Sequence, residues 1–392
     1  MSRTLTYVTI PVIALFIGGA VQVFRPLPPV QAQATASQVT LPGAFSMAFP
    51  ARGQAAIGEE TLGVVAETPN QQPAAIASLT KMMTAYLLLQ AQPLKVGEDG
   101  PVTTITAADV AVYEQDKASG YSVAKVSVGE KLTERQMLQA LLLPSADNIA
   151  TLIAQQVAGS EEKFVAKMNA AAKALGMTQT TYADASGVNP ATVSTAHDQL
   201  LLAQAVIKDR TIRDIVAMPQ ADLPTAGRVF NVNFMVGKQG ITGIKTGSTL
   251  AAGSCFVGSY PVMINGTQRT VLCALLGQQS LKVAITTNAA LMHAAAPQFK
   301  DYALPAPANG IAQLTTPWKQ AATLTPSQPL QVFGFPGMTV NLSAKVTQAN
   351  LPIKQGQEVA ALTVTTGHAS KSFALTSAQA IEQPNFLWRL HR

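Results

Sequence analysis

Three short motifs carry the residue types that nucleophilic catalysis needs: Ser78-Leu79-Thr80-Lys81, Ser145-Ala146-Asp147-Asn148 and Lys245-Thr246-Gly247. A serine hydroxyl is a poor nucleophile until a neighbouring base takes its proton. A lysine serves as that base only when burial or another cation pulls its pKa down. On a helix Ser78 and Lys81 stack one turn apart, and in the first turn the hydroxyl also feels the positive end of the helix dipole. Lys245 could be the second cation, and Ser145 could relay a proton between a lysine and a leaving amine. On a strand, Lys245 and Thr246 would hold a terminal carboxylate by charge and hydrogen bond, while Gly247 would let a peptide backbone lie close. Each motif also has a plainer reading. Ser78 caps a helix above a solvated Lys81, Ser145 is a turn residue with Asp147 or Asn148 capping the next helix, and Lys245 ends a strand. A Ser and a Lys three apart arise by chance about once in a chain of this size, whereas Lys-Thr-Gly is expected once in several thousand residues.

The elements around the motifs can be read from periodicity. "AAIGEETLGVVAE" alternates as a strand pair would. After Pro73, Leu79, Met82, Met83, Tyr86 and Leu87 recur at helical spacing and define one core-facing arc, with Ser78 and Lys81 on an edge just outside it. A second helix opens at the capping box Thr133-x-x-Gln136 and stops at Pro144, and a third runs from near Asn148 to Val157 before Gly159. Ser145 therefore lies in a tight interhelical loop. "TGIKTGST", "AGSCFVGSYPVMI" and "TQRTVLCALLG" read as three consecutive strands followed by a helix through "VAITTNAALMHAAA". Asn265-Gly266 is a strong hairpin signal. With that turn residue 264 pairs with 267 and Cys273 faces Gly258, so Cys255 and Cys273 fall out of register and on opposite faces; without a bulge they cannot form the disulfide that an oxidising compartment would allow, and two reduced, buried cysteines are expected. After about residue 305, short alternating runs with frequent Pro and Thr predict a small all-β unit.

The chain has 392 residues, 27 Lys and Arg, 21 Asp and Glu, a formal charge of +6, 48% hydrophobic and 12% charged residues. That is room for two domains, and the composition excludes intrinsic disorder and argues against a nucleic-acid binder. The few acids favour contact with an acidic surface such as a cell envelope or membrane. Two Cys and four His exclude a disulfide scaffold and a Cys-rich zinc module. At the N-terminus Arg3, an apolar stretch from Val8 to Phe24, several prolines and Ala32-Gln33-Ala34 read as an export signal. Cleavage after Ala34 and a retained anchor are both open, although the apolar stretch would span only ~25 Å as a helix against a ~30 Å hydrocarbon core.

Taken together, the three motifs in this order resemble the low-molecular-weight penicillin-binding proteins of the D-alanyl-D-alanine carboxypeptidase family, peptidase family S11. The segments "AIASLTKMMTAYLLL", "LLLPSADNIATLIA", "KMNAAAKALGMTQTTYADASGV", "STAHDQLLLAQAVI" and "GITGIKTGSTLAAGSCFVGS" extend the resemblance over roughly residues 45 to 300. It implies an α/β (α+β) penicillin-recognising, β-lactamase-like fold, mainly an antiparallel sheet flanked by helices, with a small C-terminal all-β domain. With the N-terminal reading and the polar, Ala- and Gln-containing composition of 35–44, the expected organisation is a signal or anchor over 1–34, a linker over 35–44, the peptidase domain over 45–304, a β-rich domain over 305–384 and a tail over 385–392.

The implied reaction is removal of the terminal D-alanine from peptidoglycan pentapeptides through an acyl-enzyme, outside the cytoplasm and without metal or cofactor, with β-lactam antibiotics acylating the same serine. Ser78 would be the nucleophile, Lys81 its proton acceptor and Ser145 the second catalytic serine. Lys245, Thr246, Gly247, Ser248, Thr249, Asp147 and Asn148 would form the substrate-binding set, and the backbone N–H groups of Ser78 and Ser248 the oxyanion hole. His197, His293, His368 and His391 are too scattered to suggest a zinc site.

The sequence departs from the family pattern at three points. Asp147 stands where the family's Ser-x-Asn motif has its amide, which follows at Asn148, and a carboxylate there would keep Lys81 protonated and weaken it as a base. A family arginine after the hairpin has no counterpart beyond the nearby Lys282. The tail "NFLWRLHR" ends where relatives often continue into an amphipathic anchor. Two other readings remain to be separated by experiment: a catalytically impaired peptidoglycan-binding protein, and a serine β-lactamase, which usually carries a Glu-x-x-Leu-Asn segment not found between Ser145 and Lys245.

Overall fold

The structure, a computed structural model, describes residues 17–304, 310–348, 350–367 and 369–392. The chain divides into two compact units. Residues 44–300 form one, and the described residues up to Gly43 join those from Asp301 onward in the other.

The 44–300 unit is built on strands β1 (Gln54–Glu59), β2 (Gly63–Glu67), β3 (Gly243–Thr249), β4 (Gly253–Ile264) and β5 (Thr267–Gln278). They form one antiparallel sheet in the order β3-β4-β5-β1-β2. Its helices are α1 (Lys81–Ala91), α2 (Ala107–Ala118), α3 (Glu134–Leu142), α4 (Asp147–Ala158), α5 (Glu161–Ala174), α6 (Ala196–Val206), α7 (Arg210–Val216) and α8 (Leu281–Ala295). The sheet is covered on both faces, and the alternation of side chains shows it. Phe256 packs with Ala284 and Ile285 of α8, whereas Cys255, Val257, Leu272 and Ala274 join the main core with Leu200 and Ala203 of α6. Asn265-Gly266 makes the β4–β5 turn, with Ile264 opposite Thr267 and Gly258 opposite Cys273, as the hairpin signal predicts. Both cysteines are free and buried. Burial pushes the Cys255 thiol up to about 11.

Local signals also set the helices that carry the site. Thr133 and Gln136 make a reciprocal capping box at the start of α3, and Gly159 ends α4 in the left-handed region at φ 75°. The first helix differs from the sequence expectation. Residues Ala77–Thr80 form a 3-10 turn that leads directly into α1. Beyond the predicted arc, Lys81, Thr84, Ala85, Leu88 and Leu89 are buried too. A helix buried on nearly all sides belongs in the centre of its unit, and α1 packs against α3, α4, α5 and α6.

The other unit contains a seven-stranded sheet in which Gln31–Ala34, Ala312–Thr315, Ala321–Pro326, Ala369–Ser377, Glu358–Thr366, Thr339–Val346 and Gln38–Thr40 follow one another. Two of these strands come from N-terminal residues assigned on composition to a signal and a linker. Gln31–Ala34 pairs with Ala312–Thr315, and Gln38–Thr40 pairs with Thr339–Asn341. Short alternating polar and small residues carry too little local signal to announce a strand whose partner lies about 280 to 300 residues away. The terminal residues also fold, Phe386–His391 being helical. Among the described residues no helix is long and apolar enough to cross a membrane. The expected apolar stretch lies partly, and the expected boundary at 305 wholly, outside the described residues.

Candidate active site

Ser78 sits in the 3-10 turn before α1, half-buried, and Lys81 is the first residue of the α-helix. In a 3-10 turn residues i and i+3 eclipse each other, which brings the two side chains together more directly than an α-turn would. Lys81 Nζ donates to Ser78 Oγ at 2.8 Å. The same ammonium donates to Asp147 Oδ1 at 2.6 Å and to the carbonyl of Ser186 at 3.0 Å, with the Lys81 side chain fully buried. The plainer reading, a helix-capping serine and a solvated lysine, does not describe this arrangement. No side chain caps the helix start.

The turn is held by backbone contacts that leave no room for side chains. Ala77 has φ 49°, and Thr80 Oγ1 donates to its carbonyl at 2.8 Å. A Cβ at Gly187 would lie 1.9 Å from the same carbonyl oxygen, so only glycine fits there. A Cβ at Gly247 would meet Ile76 O at 2.9 Å, Ser78 N at 3.0 Å and Leu79 N at 3.1 Å. The missing side chain at 247 thus makes room for the turn that carries Ser78.

Ser145 lies between α3 and α4 with φ 69°, a strained conformation for a residue with a Cβ, and is 5% exposed. Its loop is fixed by Ala146 N donating to Ala140 O at 3.1 Å and Asp147 N donating to Ser122 O at 2.7 Å. Lys245, on β3, donates from Nζ to Ser145 Oγ at 2.9 Å and to Thr246 O at 3.0 Å. Burial, followed by the positive charge of Lys81, holds the Lys245 ammonium well below its ordinary value of 10.5, and the Asp147 carboxylate partly offsets this. The site therefore holds two serine–lysine pairs, Ser78–Lys81 and Ser145–Lys245, and a charge on Lys81 disfavours a second charge on Lys245.

The remaining predicted residues separate. Asp147 enters the site. Asn148 does not, because its Oδ1 accepts from Ala124 N at 3.0 Å and its Nδ2 donates to Ala124 O at 2.9 Å, which uses both ends of the amide on the 121–126 loop. Neither residue caps α4, which begins after Ala146 without a side-chain cap. Thr246 is buried, Ser248 is exposed with its hydroxyl 3.2 Å from that of Ser254, and Thr249 Oγ1 accepts from Ala252 N at 3.1 Å in the β3–β4 turn. Lys282 is exposed at the start of α8. Among the described residues no group of three or more His, Cys, Asp and Glu is placed to hold a metal. His368 lies outside the described residues.

Two further features outside the three motifs shape the site. One is the 184–189 loop, in which Asp184 Oδ2 accepts from the N–H groups of Gly187 and Val188 at 2.8 Å and Asn189 at 3.2 Å, presenting the Ser186 carbonyl to Lys81. An Asp three residues before a Gly is a turn signal that could have flagged it. The other is Asp116 on α2, whose carboxyl is raised by burial and then by the Asp147 charge, with Lys81 opposing. Nothing in the local sequence marks it.

This geometry can do one kind of work well: deprotonate a half-buried serine beside a second serine–lysine pair, on a turn pressed against a strand. Residues 44–274 match the D-alanyl-D-alanine carboxypeptidase family, peptidase S11, and the chain belongs to that family of hydrolases. The chain is 26% identical over 329 residues to the D-alanyl-D-alanine carboxypeptidase DacF of Bacillus subtilis, covering 81% of this chain and 82% of that one. It is 31% identical over 189 residues to the carboxypeptidase DacC of Escherichia coli, covering 47% and 46%. It is 32% identical over 217 residues to a D-alanyl-D-alanine endopeptidase of Pseudomonas aeruginosa, covering 53% and 66%. Among solved structures, the D-alanyl-D-alanine carboxypeptidase DacD of Francisella tularensis superposes with a TM-score of 0.60 at 21% identity, over 87% of this chain and 96% of that one, which establishes the fold. The Streptomyces K15 DD-transpeptidase superposes with a TM-score of 0.56 at 25% identity, over 64% and 99%. The fold is thus that of the penicillin-recognising DD-peptidases, an antiparallel sheet flanked by helices.

Proposed function

We propose that this enzyme removes the terminal D-alanine from peptidoglycan stem peptides, with Ser78 as the acylated nucleophile. The observation that carries the reading is Lys81 Nζ at 2.8 Å from Ser78 Oγ, with a second pair, Lys245 Nζ at 2.9 Å from Ser145 Oγ, in the same buried site. Ser78 Oγ attacks the carbonyl of the penultimate residue, and Lys81 receives the proton. Backbone N–H groups of Ser78 and Ser248 stabilise the oxyanion, which the close packing of Gly247 on the Ser78 turn supports. Ser145, backed by Lys245, delivers a proton to the departing D-alanine amine, and water then hydrolyses the ester. Lys245, Thr246 and the neighbouring strand residues receive the substrate's carboxylate end. A β-lactam acylates the same serine.

The substrate class supports a location outside the cytoplasm, on the cell wall side of the envelope. Pairing of Gln31–Ala34 with Ala312–Thr315 supports a mature chain that retains these residues, since cleavage after Ala34 would remove a strand from its sheet. The names of the relatives include carboxypeptidase, endopeptidase and transpeptidase, so the acceptor is a matter for assay. Incubation with a fluorescent penicillin should label the wild type and leave Ser78→Ala unlabelled, and the wild type should release D-alanine from a pentapeptide. A well-folded wild type that takes no label would refute the role of Ser78 and favour a peptidoglycan-binding protein. Labelling without D-alanine release would direct attention to an amine acceptor.

A further inference from the structure

We propose that Asp147 is the proton sink for acylation, acting through Lys81 in a Ser78–Lys81–Asp147 relay. The proposal rests on the reading that Ser78 is acylated. As an ammonium, Lys81 has three N–H bonds, and the structure gives each an acceptor: Ser78 Oγ at 2.8 Å, Asp147 Oδ1 at 2.6 Å and Ser186 O at 3.0 Å. In that state the nitrogen has no lone pair with which to take the proton of Ser78. Something must first remove a proton from Lys81. The side chain is fully buried, and Asp147 is 5% exposed. Loss of the proton to solvent would leave a carboxylate in the interior without its counter-ion, which is costly. Transfer across the 2.6 Å hydrogen bond to Asp147 cancels both charges at once and leaves the net charge of the pair unchanged.

The relay balances as follows. A proton moves from Lys81 Nζ to Asp147 Oδ1, which gives an amine and a carboxylic acid. The amine turns its lone pair to Ser78 Oγ and accepts that proton as the Oγ–carbon bond forms and the carbonyl π pair moves to the oxyanion. When the tetrahedral intermediate collapses, the carbon–nitrogen bond breaks and its electron pair takes the hydroxyl proton of Ser145, which is replaced by the proton that Lys81 took from Ser78, so that Lys81 is again an amine. The proton held on Asp147 then returns, and the Lys81–Asp147 ion pair is restored. The carboxylate expected from sequence to weaken Lys81 becomes the group that lets it work.

Asp147 is faced by Lys81 on α1 and Lys245 on β3, and by Asp116 on α2, which itself feels Glu161 on α5. The test is the rate of acylation of the full-length protein by a fluorescent penicillin between pH 5 and 9. Because the pair already holds the one proton it needs, the wild-type rate should be flat from about pH 6 to 8. In Asp147→Asn, Lys81 must release its proton to solvent, so the rate should climb about tenfold per pH unit and fall at least about tenfold below wild type at pH 6. Asp116→Asn should keep the wild-type profile. The proposal is overturned by a wild-type rate that itself climbs over this range, by an Asp147→Asn profile that superposes on it, or by a limb that moves with Asp116→Asn instead. If Asp147→Asn does not fold, the wild-type profile alone decides. An unlabelled wild type would refute the role of Ser78 instead, so the two failures can be told apart.

Discussion

Replacing Gly247 by alanine tests whether the strand acts on Ser78, the proposed nucleophile, by packing. The added methyl would lie 2.9 Å from Ile76 O, 3.0 Å from Ser78 N and 3.1 Å from Leu79 N. Comfortable contact begins near 3.5 Å, so the overlap is roughly half an ångström, and all three neighbours are backbone atoms that cannot rotate away. The turn carrying Ser78 must move, or β3 must. Overpacking of this kind costs about 1 to 3 kcal/mol of stability. A misplacement of about 1 Å at a reacting group costs on the order of a hundredfold in rate, so half that shift predicts an acylation rate about tenfold lower. The measurement is the second-order acylation rate by a fluorescent penicillin, read beside the thermal midpoint. Gly258→Ala provides the control. Its methyl would lie 2.1 Å from Asn288 Oδ1 and 2.8 Å from Met292 Cε, on the α8 side of the sheet. That variant should lose stability with little loss of acylation rate. A Gly247→Ala enzyme that acylates at the wild-type rate, or a rate that follows the thermal midpoint equally in both variants, would refute the reasoning.

Asn148→Ala should destabilise the protein by about 1 to 3 kcal/mol, because it leaves both backbone groups of Ala124 without their partners, and urea denaturation would measure it. Glu134 is fully buried, and burial, followed by the charge of Asp209, raises its carboxyl from the ordinary 4.5 to about 7. The folded state thus binds that proton more tightly than the unfolded one. Its contribution is fully present below pH 4.5 and is lost as pH rises through 7. Glu134→Gln should match the wild type near pH 4.5 and exceed it at pH 8, by about 1 to 2 kcal/mol after allowance for solvent screening. A stability gain that is equal at both pH values would show that desolvation of the charge is not the cause. Cys255 and Cys273 should react with a thiol reagent only after denaturation, in the absence of reductant, each as a free thiol. N-terminal sequencing of the protein isolated from cells should find a chain that begins before Gln31, and a start at Thr35 would show that the strand is dispensable.

Where one residue's neighbours in sequence are also its neighbours in space, the sequence was sufficient. The Asn265-Gly266 turn fixes the β4–β5 register down to Gly258 opposite Cys273, because a tight turn leaves the two strands one way to pair. The capping box at Thr133 and the glycine at 159 place the ends of α3 and α4 by hydrogen bonds that span three or four residues. The three motifs gave the family, with Ser78 and Lys81 within one turn of each other. The pairing of Lys245 with Ser145 bridges 100 residues, and that of Lys81 with Asp147 bridges 66. Adjacent residues Asp147 and Asn148 look interchangeable in sequence, yet the start of α4 turns one toward Lys81 and the other onto Ala124. The same holds for Gly247, whose close approach is to the turn of Ser78, and for Gln31–Ala34, whose strand partner is Ala312–Thr315 near the other end of the chain. Residue type and spacing state which groups are available for chemistry and which local turns they occupy. Which of them meet is decided by packing across long chain separations, where no local pattern records the contact.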